Sequence, residues 1–157
     1  MAITQSMTTS FKAELMLAVH DFRLTSGDSF KLALYTSSAT IDANTTAYTA
    51  SNEVTGTNYT AGGGALTNSG VTASNTNASA GTGYTSFSTL TFTNATITAR
   101  GALIYNTTPS ANGTANTTLT NAAVCALDFG SDKTSTAGDF SIIFPTAANT
   151  TAIIRIA

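Results

Sequence analysis

The chain has 157 residues, about one domain's length, and 33 Thr, 26 Ala, 16 Ser, 12 Gly and 12 Asn fill most of it. Six Lys and Arg against eight Asp and Glu leave a net charge of -2, which excludes the basic footprint that binds nucleic-acid phosphates. No run approaches the ~20 apolar residues that cross a bilayer, and MAITQSMTTS has neither a basic nor an apolar signal region, so a soluble product of the cytoplasm with no membrane partner is expected.

Leu, Ile, Val and Phe total 31 residues, near the ~20% floor below which chains tend to disorder, but the high net charge that accompanies disorder is absent. These residues are clustered, which predicts one modest core with long polar connections. The first cluster, TSFKAELMLAVHDFRLTSG, places Phe11, Leu15, Ala18, Val19 and Phe22 on one stripe of 3.6-residue period. A helix over about 10–24 follows, with Thr9 or Ser10 as N-cap and Thr25-Ser26-Gly27 as its stop.

After Gly27 the period becomes two. Phe30, Leu32 and Leu34 alternate with Lys31, Ala33 and Tyr35, and further strands are expected at about 87–93, 97–105, 122–129, 139–144 and 152–156. The last two read as a hairpin-like pair, with Pro145 ending the first because it cannot donate to a ladder. Gly, Asn, Ser and Asp separate the runs. The fold class is therefore mainly β, an antiparallel β-sandwich or barrel of jelly-roll type with one N-terminal α-helix packed against it, in a single domain over 1–157.

Two stretches, about 36–86 and 106–121, are poor in large apolar residues, and both are expected to be extended arms ordered by contact with another chain. Tyr48, Val54 and Tyr59 are the larger side chains in the first. They are the candidate interface anchors, with a satellite core beneath their own loop as the alternative.

Residues that carry chemistry are few. His20 is the only histidine, and no G-x-S-x-G nucleophile elbow accompanies it. Cys125 is the only cysteine, which allows no internal disulfide, and it lies in an apolar run as a small buried hydrophobe would. Asp128-Phe129-Gly130 matches the kinase magnesium triplet by letter, without that machinery's other motifs, and reads as the end of a strand entering a turn.

Asp128, Asp132 and Asp139 lack EF-hand spacing, and Gly62-Gly63-Gly64 lacks the Lys-Ser/Thr of a phosphate loop. Eight Asn-x-Ser/Thr sequons, at Asn44, Asn58, Asn77, Asn94, Asn106, Asn112, Asn116 and Asn149, reflect the composition. Thr, Asn and Tyr on a surface also suit sugar binding, although five Tyr and no Trp make a thin platform set. No catalytic residue, metal site or cofactor is assigned.

Three stretches, SFKAELMLAVHDF with SGDSFKLALYTSSATIDANTTAYTASNEVTGTNYTAGG, TFTNATITARGALIYNTT, and CALDFGSDKTSTAGDFSIIFPT, cover more than half of the chain. Together they resemble a family of small structural proteins in tailed-bacteriophage virions. The resemblance implies a non-enzymatic part present in many copies, specifically a capsid decoration or cement protein. Such a protein clamps adjacent major capsid subunits, pairs with itself as a homo-oligomer, commonly a trimer, and resides on the virion surface after synthesis in the host cytoplasm. A tail or neck component is the alternative within virions, and a carbohydrate-binding module the alternative outside them.

Overall fold

The computed structural model describes residues 3–74, 81–111, 114–115 and 118–157. Along the chain these form β1 (Ser6–Met7), α1 (Thr9–Met16), β2 (Phe30–Tyr35), β3 (Gly64–Leu66), β4 (Thr72–Ser74), β5 (Thr82–Thr85), β6 (Leu90–Asn106), β7 (Ser110–Ala111), β8 (Thr114–Ala115), β9 (Ala122–Ile142) and β10 (Ile154–Ile156). The protein is mainly β. A five-stranded antiparallel sheet in the order β1-β9-β6-β2-β3 faces a three-stranded sheet in the order β10-β5-β4, and β7 pairs with β8 in a small hairpin. The larger sheet ends at β1 and β3, so the packing is sandwich-like and not a closed barrel.

The alternation in β2 is as the sequence indicates, but both of its faces are covered. Phe30, Leu32 and Leu34 join Phe11, Phe22, Ile104, Val124 and Ile154 in the main core. On the other face Ala33 and Tyr35 meet Ile3, Ala39, Ile41, Leu103 and Tyr105. β6 is likewise buried on both faces from Gly101 to Asn106.

An aromatic series ties the main core together. Phe11 meets Phe22 edge-on at 6.1 Å, Phe22 stacks on Phe30 at 4.4 Å, Phe30 meets Phe87 at 5.9 Å and Phe87 meets Phe144 at 5.5 Å. Each such pair adds about 0.5–1.5 kcal/mol beyond its buried area.

Four expectations are corrected. The helix is α1, only Thr9–Met16, and its N-cap is Thr8, whose Oγ1 accepts from the Phe11 N–H at 3.3 Å and donates to the Ala123 carbonyl at 3.0 Å. It stops because Ala18 adopts φ 55°, while the N–H groups of Leu17 and Val19 both turn back to the Glu14 carbonyl. Val19 and Phe22 are buried as the stripe requires, but from an irregular segment.

The expected strands at 87–93 and 97–105 are one strand, β6, and those at 122–129 and 139–144 are one strand, β9. Register shifts between Phe92 and Ala95, Ala95 and Ile97, and Ala99 and Gly101 absorb the polar residues read as turns. Asn94, Gly130 and Ala137 supply positive φ within the ribbon, as bulged strands need. The C-terminal run therefore does not pair with residues 139–144; β10 pairs with β5 in the other sheet.

The segment 36–86 is not an extended arm in its described residues. It folds back on the larger sheet, burying Ala39, Ile41 and Val54, and its backbone bridges Glu53 to Tyr35, Ala47 to Ala122 and Thr57 to Thr96. In the second stretch, 106–121, residues 112–113 and 116–117 lie outside the described residues, as do the sequon positions Asn77, Asn112 and Asn116. Asn106 itself is fully buried at the end of β6.

One glycine shows how tightly the returning segment fits. Gly63 has φ 69°, and a Cβ on it would lie 1.8 Å from the Leu32 carbonyl oxygen, which is backbone and cannot step aside. Gly130 has a similar φ of 74° with open space around it. Gly63→Ala is expected to lower unfolding stability by more than about 2 kcal/mol, against roughly 1 kcal/mol for Gly130→Ala, where only the backbone conformation is penalised. Denaturant titrations of the two variants check the difference.

Candidate functional site

Two clusters of buried polar side chains hold the irregular segments to the larger sheet. The first centres on Glu53, which is 8% exposed. Its Oε2 accepts from the Tyr48 hydroxyl at 2.6 Å, and its Oε1 accepts from the Tyr59 hydroxyl and the Gly62 N–H, each at 2.7 Å. The Tyr59 oxygen also accepts from the Leu34 N–H at 2.8 Å, so this side chain connects the loop carboxylate directly to β2. Tyr105 donates to the Gly62 carbonyl at 2.7 Å, and its ring stacks on that of Tyr48 at 4.8 Å. Tyr35 donates to the Thr49 carbonyl at 2.6 Å.

Burial, reinforced by the Glu53 carboxylate, pushes the Tyr48 and Tyr59 hydroxyls well above the ordinary phenol range, and burial pushes Tyr105 up to about 12. These phenols stay protonated at neutral pH and serve as fixed donors. A carboxylate held by three donors from its own chain in this way positions a loop.

The second cluster joins α1, the segment after it, and the end of β6. The Asn106 Oδ1 accepts from the Thr108 N–H at 3.0 Å, which fixes the orientation of its amide. Its Nδ2 then donates to Asp28 Oδ2 at 2.7 Å and to His20 Nδ1 at 3.0 Å. With Nδ1 an acceptor, His20 is the neutral Nε2–H tautomer and donates to Glu14 Oε2 at 2.7 Å. Asp28 also accepts from the Asp21 N–H at 2.9 Å and the Ser110 hydroxyl at 3.1 Å.

Burial lowers the His20 pKa below its ordinary value of 6.5, a shift that Glu14 and Asp28 oppose. The imidazole is therefore held neutral, and the Ser110 hydroxyl of the cluster donates to Asp28. No nucleophile, base and orienting group are brought together here.

The candidate anchors Tyr48, Val54 and Tyr59 are turned to the chain's own interior. Val54 is 2% exposed within the main core, and the two tyrosines hold Glu53. Cys125 is buried too, and burial pushes its thiol up to about 12, which keeps it protonated at neutral pH.

Asp128-Phe129-Gly130 lies inside β9 and not at a strand end, and the Asp128 carboxylate accepts from the Gly130 N–H at 2.9 Å and from Arg100 at 3.3 Å. Asp139 instead accepts from the Asn94 N–H at 3.1 Å. Among the described residues no group of three His, Cys, Asp or Glu is placed to hold a metal ion. The triplet Gly62-Gly63-Gly64 approaches Tyr105 and β2 and packs a protein strand.

Sequence reasoning missed Glu53. The available signal was its isolation: with Asp42 it is one of two charged residues between 36 and 86, and Tyr48 and Tyr59 stand five and six positions away. A lone acid flanked by phenols in an uncharged tract indicates a satisfied buried carboxylate. No family model, curated protein or solved structure matches the chain.

Two outcomes follow from these geometries. Tyr59→Phe leaves the Leu34 N–H without its partner and removes one donor from Glu53, and is expected to cost about 1–3 kcal/mol of unfolding stability. Tyr48→Phe, which loses only the donor to a half-buried oxygen, costs less; thermal melts of the pair check the order.

For His20, the unfolded chain binds a proton as pH falls through about 6.5, whereas the folded chain resists until lower pH. Stability is therefore fully present above pH 6.5 and declines below it, at no more than about 1.4 kcal/mol per pH unit for one proton. His20→Gln removes that slope. Denaturant midpoints between pH 7.5 and 5 measure it.

Proposed function

We propose that the chain is a non-enzymatic structural protein of a tailed-bacteriophage virion, a capsid decoration protein that binds adjacent major capsid subunits. The reading starts from the sequence resemblance, and the observation that carries it in the fold is the β6–β9 ribbon. Beyond Leu127 no strand among the described residues pairs with the outer edge of β9, and Gly130, Ser131, Asp132, Lys133 and Thr134 are exposed in succession. Across the ribbon Thr98 meets Thr134 at 2.9 Å and Thr91 meets Ser141 at 2.8 Å, so its outer face is a lattice of hydroxyls.

A long presented ribbon of this kind binds by shape and side-chain hydrogen bonds. The buried titratable groups Glu53, His20 and Cys125 are meanwhile committed to the chain's own packing. The functional load then falls on surface, which is what a clamp between neighbouring subunits requires.

Gel densitometry of purified particles tests the assignment. Shell symmetry demands on the order of hundreds of copies for a decoration protein, and a few to tens for a tail or neck part. Absence from the particle, or a copy number in the lower range, overturns the capsid reading; binding on a glycan array by a chain absent from particles would favour the carbohydrate-binding alternative. Density for the chain over capsid subunits in a cryo-electron microscopy map would supply the contact face.

A further inference from the structure

The small sheet, α1 and the segment after it border a depression of about 300 Å³. Gly83 and Thr85 alternate onto one face of β5, and the register sets them opposite Ile156 and Ile154 of β10. Ile154 belongs to the main core with Phe11 and Phe22, which line the depression too, so this face of the sheet looks inward. Tyr84, between the two, alternates onto the other face.

Two features of that face point to a ligand. At Gly83 there is room: a Cβ there would meet no atom beyond its adjoining residues within 4 Å. Thr85 is 3% exposed, and its Oγ1 is the one buried side-chain oxygen or nitrogen among the described residues with no hydrogen-bond partner there. A hydroxyl buried in that way costs the fold its full desolvation.

A single water is a poor remedy, because it needs about two to four polar partners. The other polar side chains on the lining are committed: His20 bonds Glu14 and Asn106 through its two nitrogens, and Arg23 bonds Asp21 at 2.8 Å. The same commitments set the charge. Asp21 and Arg23 neutralise each other at the rim, the imidazole is neutral, and Lys12 and Arg155 line the adjoining depression and not this one. No ion is left over for an ionised ligand. Size and walls set the body: a dry cavity of about 150 Å³ holds one benzene ring, so roughly twice that volume takes two fused rings, and phenylalanine faces favour aromatic ones.

We infer that this depression binds a small neutral aromatic alcohol, its hydroxyl bonded to Thr85 Oγ1 and its rings lying over Gly83 between Ile156 and the wall of Phe11 and Phe22. The site is separate from the β6–β9 ribbon, and the inference stands or falls independently of the virion reading.

The probe is 2-naphthol, titrated into the purified full chain by calorimetry and by backbone amide shifts, and one-to-one binding is expected below about 1 mM. Thr85→Val keeps the shape and removes the hydroxyl. It is expected to bind 2-naphthol about tenfold more weakly, to bind naphthalene as the wild type does, and to melt no lower than the wild type. Gly83→Val places a side chain in the open space on a residue without positive φ, so it is expected to fold, as a circular dichroism melt verifies, and to lose binding.

No binding by the wild type at about 1 mM, or equal binding by either variant, overturns the inference. A lower melting temperature for Thr85→Val overturns it as well, since the hydroxyl then already has a partner in water. Tighter binding of a tyrosine-containing tripeptide than of 2-naphthol assigns the depression to a partner protein's side chain and overturns the small-molecule site.

Discussion

The rest of the structure depends on the burial of β6 and β2 on both faces. A sheet covered on one side only would have sufficed for α1 and the aromatic series, and the Thr-rich segment after Tyr35 would then have been free to extend. Instead Leu103, Tyr105, Ala33 and Tyr35 present a second apolar face that also excludes water. Something must cover it. With only 31 Leu, Ile, Val and Phe in the chain, most of them already used on the first face, the cover is built from Ile3, Ala39, Ile41 and Tyr48 on long polar loops.

Such a cover brings unsatisfied polar groups inward with it, and the Glu53 cluster is the solution. Burying a carboxylate is tolerable only when its oxygens find donors, and the cluster supplies two phenols and a backbone N–H. The His20 cluster does the same at the other end of β2 and β6, where Asn106 satisfies Asp28 and the imidazole at once. Both networks join irregular backbone to the sheet, which is how a weakly hydrophobic chain specifies one arrangement of its loops.

The strand pattern was legible wherever side chains alternate in register with one sheet. Phe30 to Tyr35 was read residue by residue, and the mainly β class followed. Two kinds of feature were not legible. The helix was drawn too long because Val19 and Phe22 keep a helical spacing while sitting on non-helical backbone; periodicity reports which residues are buried, and the turn at Ala18 leaves no mark on it.

Asn94 and the run Gly130-Ser131-Asp132 look like turn punctuation, yet they are bulges inside continuous strands, since the same residues that permit positive φ in a turn permit it in a bulge. Tyr48, Val54 and Tyr59 stand out in the sequence as large groups in a sparse tract, and the structure turns them to the chain's own interior. Whether such groups face a partner or the chain's own sheet depends on long-range pairing that composition does not encode.

The bulges also shape the free edge of the ribbon. An unpaired edge as long as that of β9 would invite pairing with any exposed strand. Lys133 pairs with Ala99 and Asp128 with Gly101, so four residues of β9 lie opposite Arg100 alone, and a second irregularity follows between Ser135 and Gly138. The edge is thereby broken into short pieces, with Asp128, Asp132, Lys133 and Asp139 set along it. Open-ended backbone pairing is discouraged, while the side chains beside Ile143 and Phe129 remain presented.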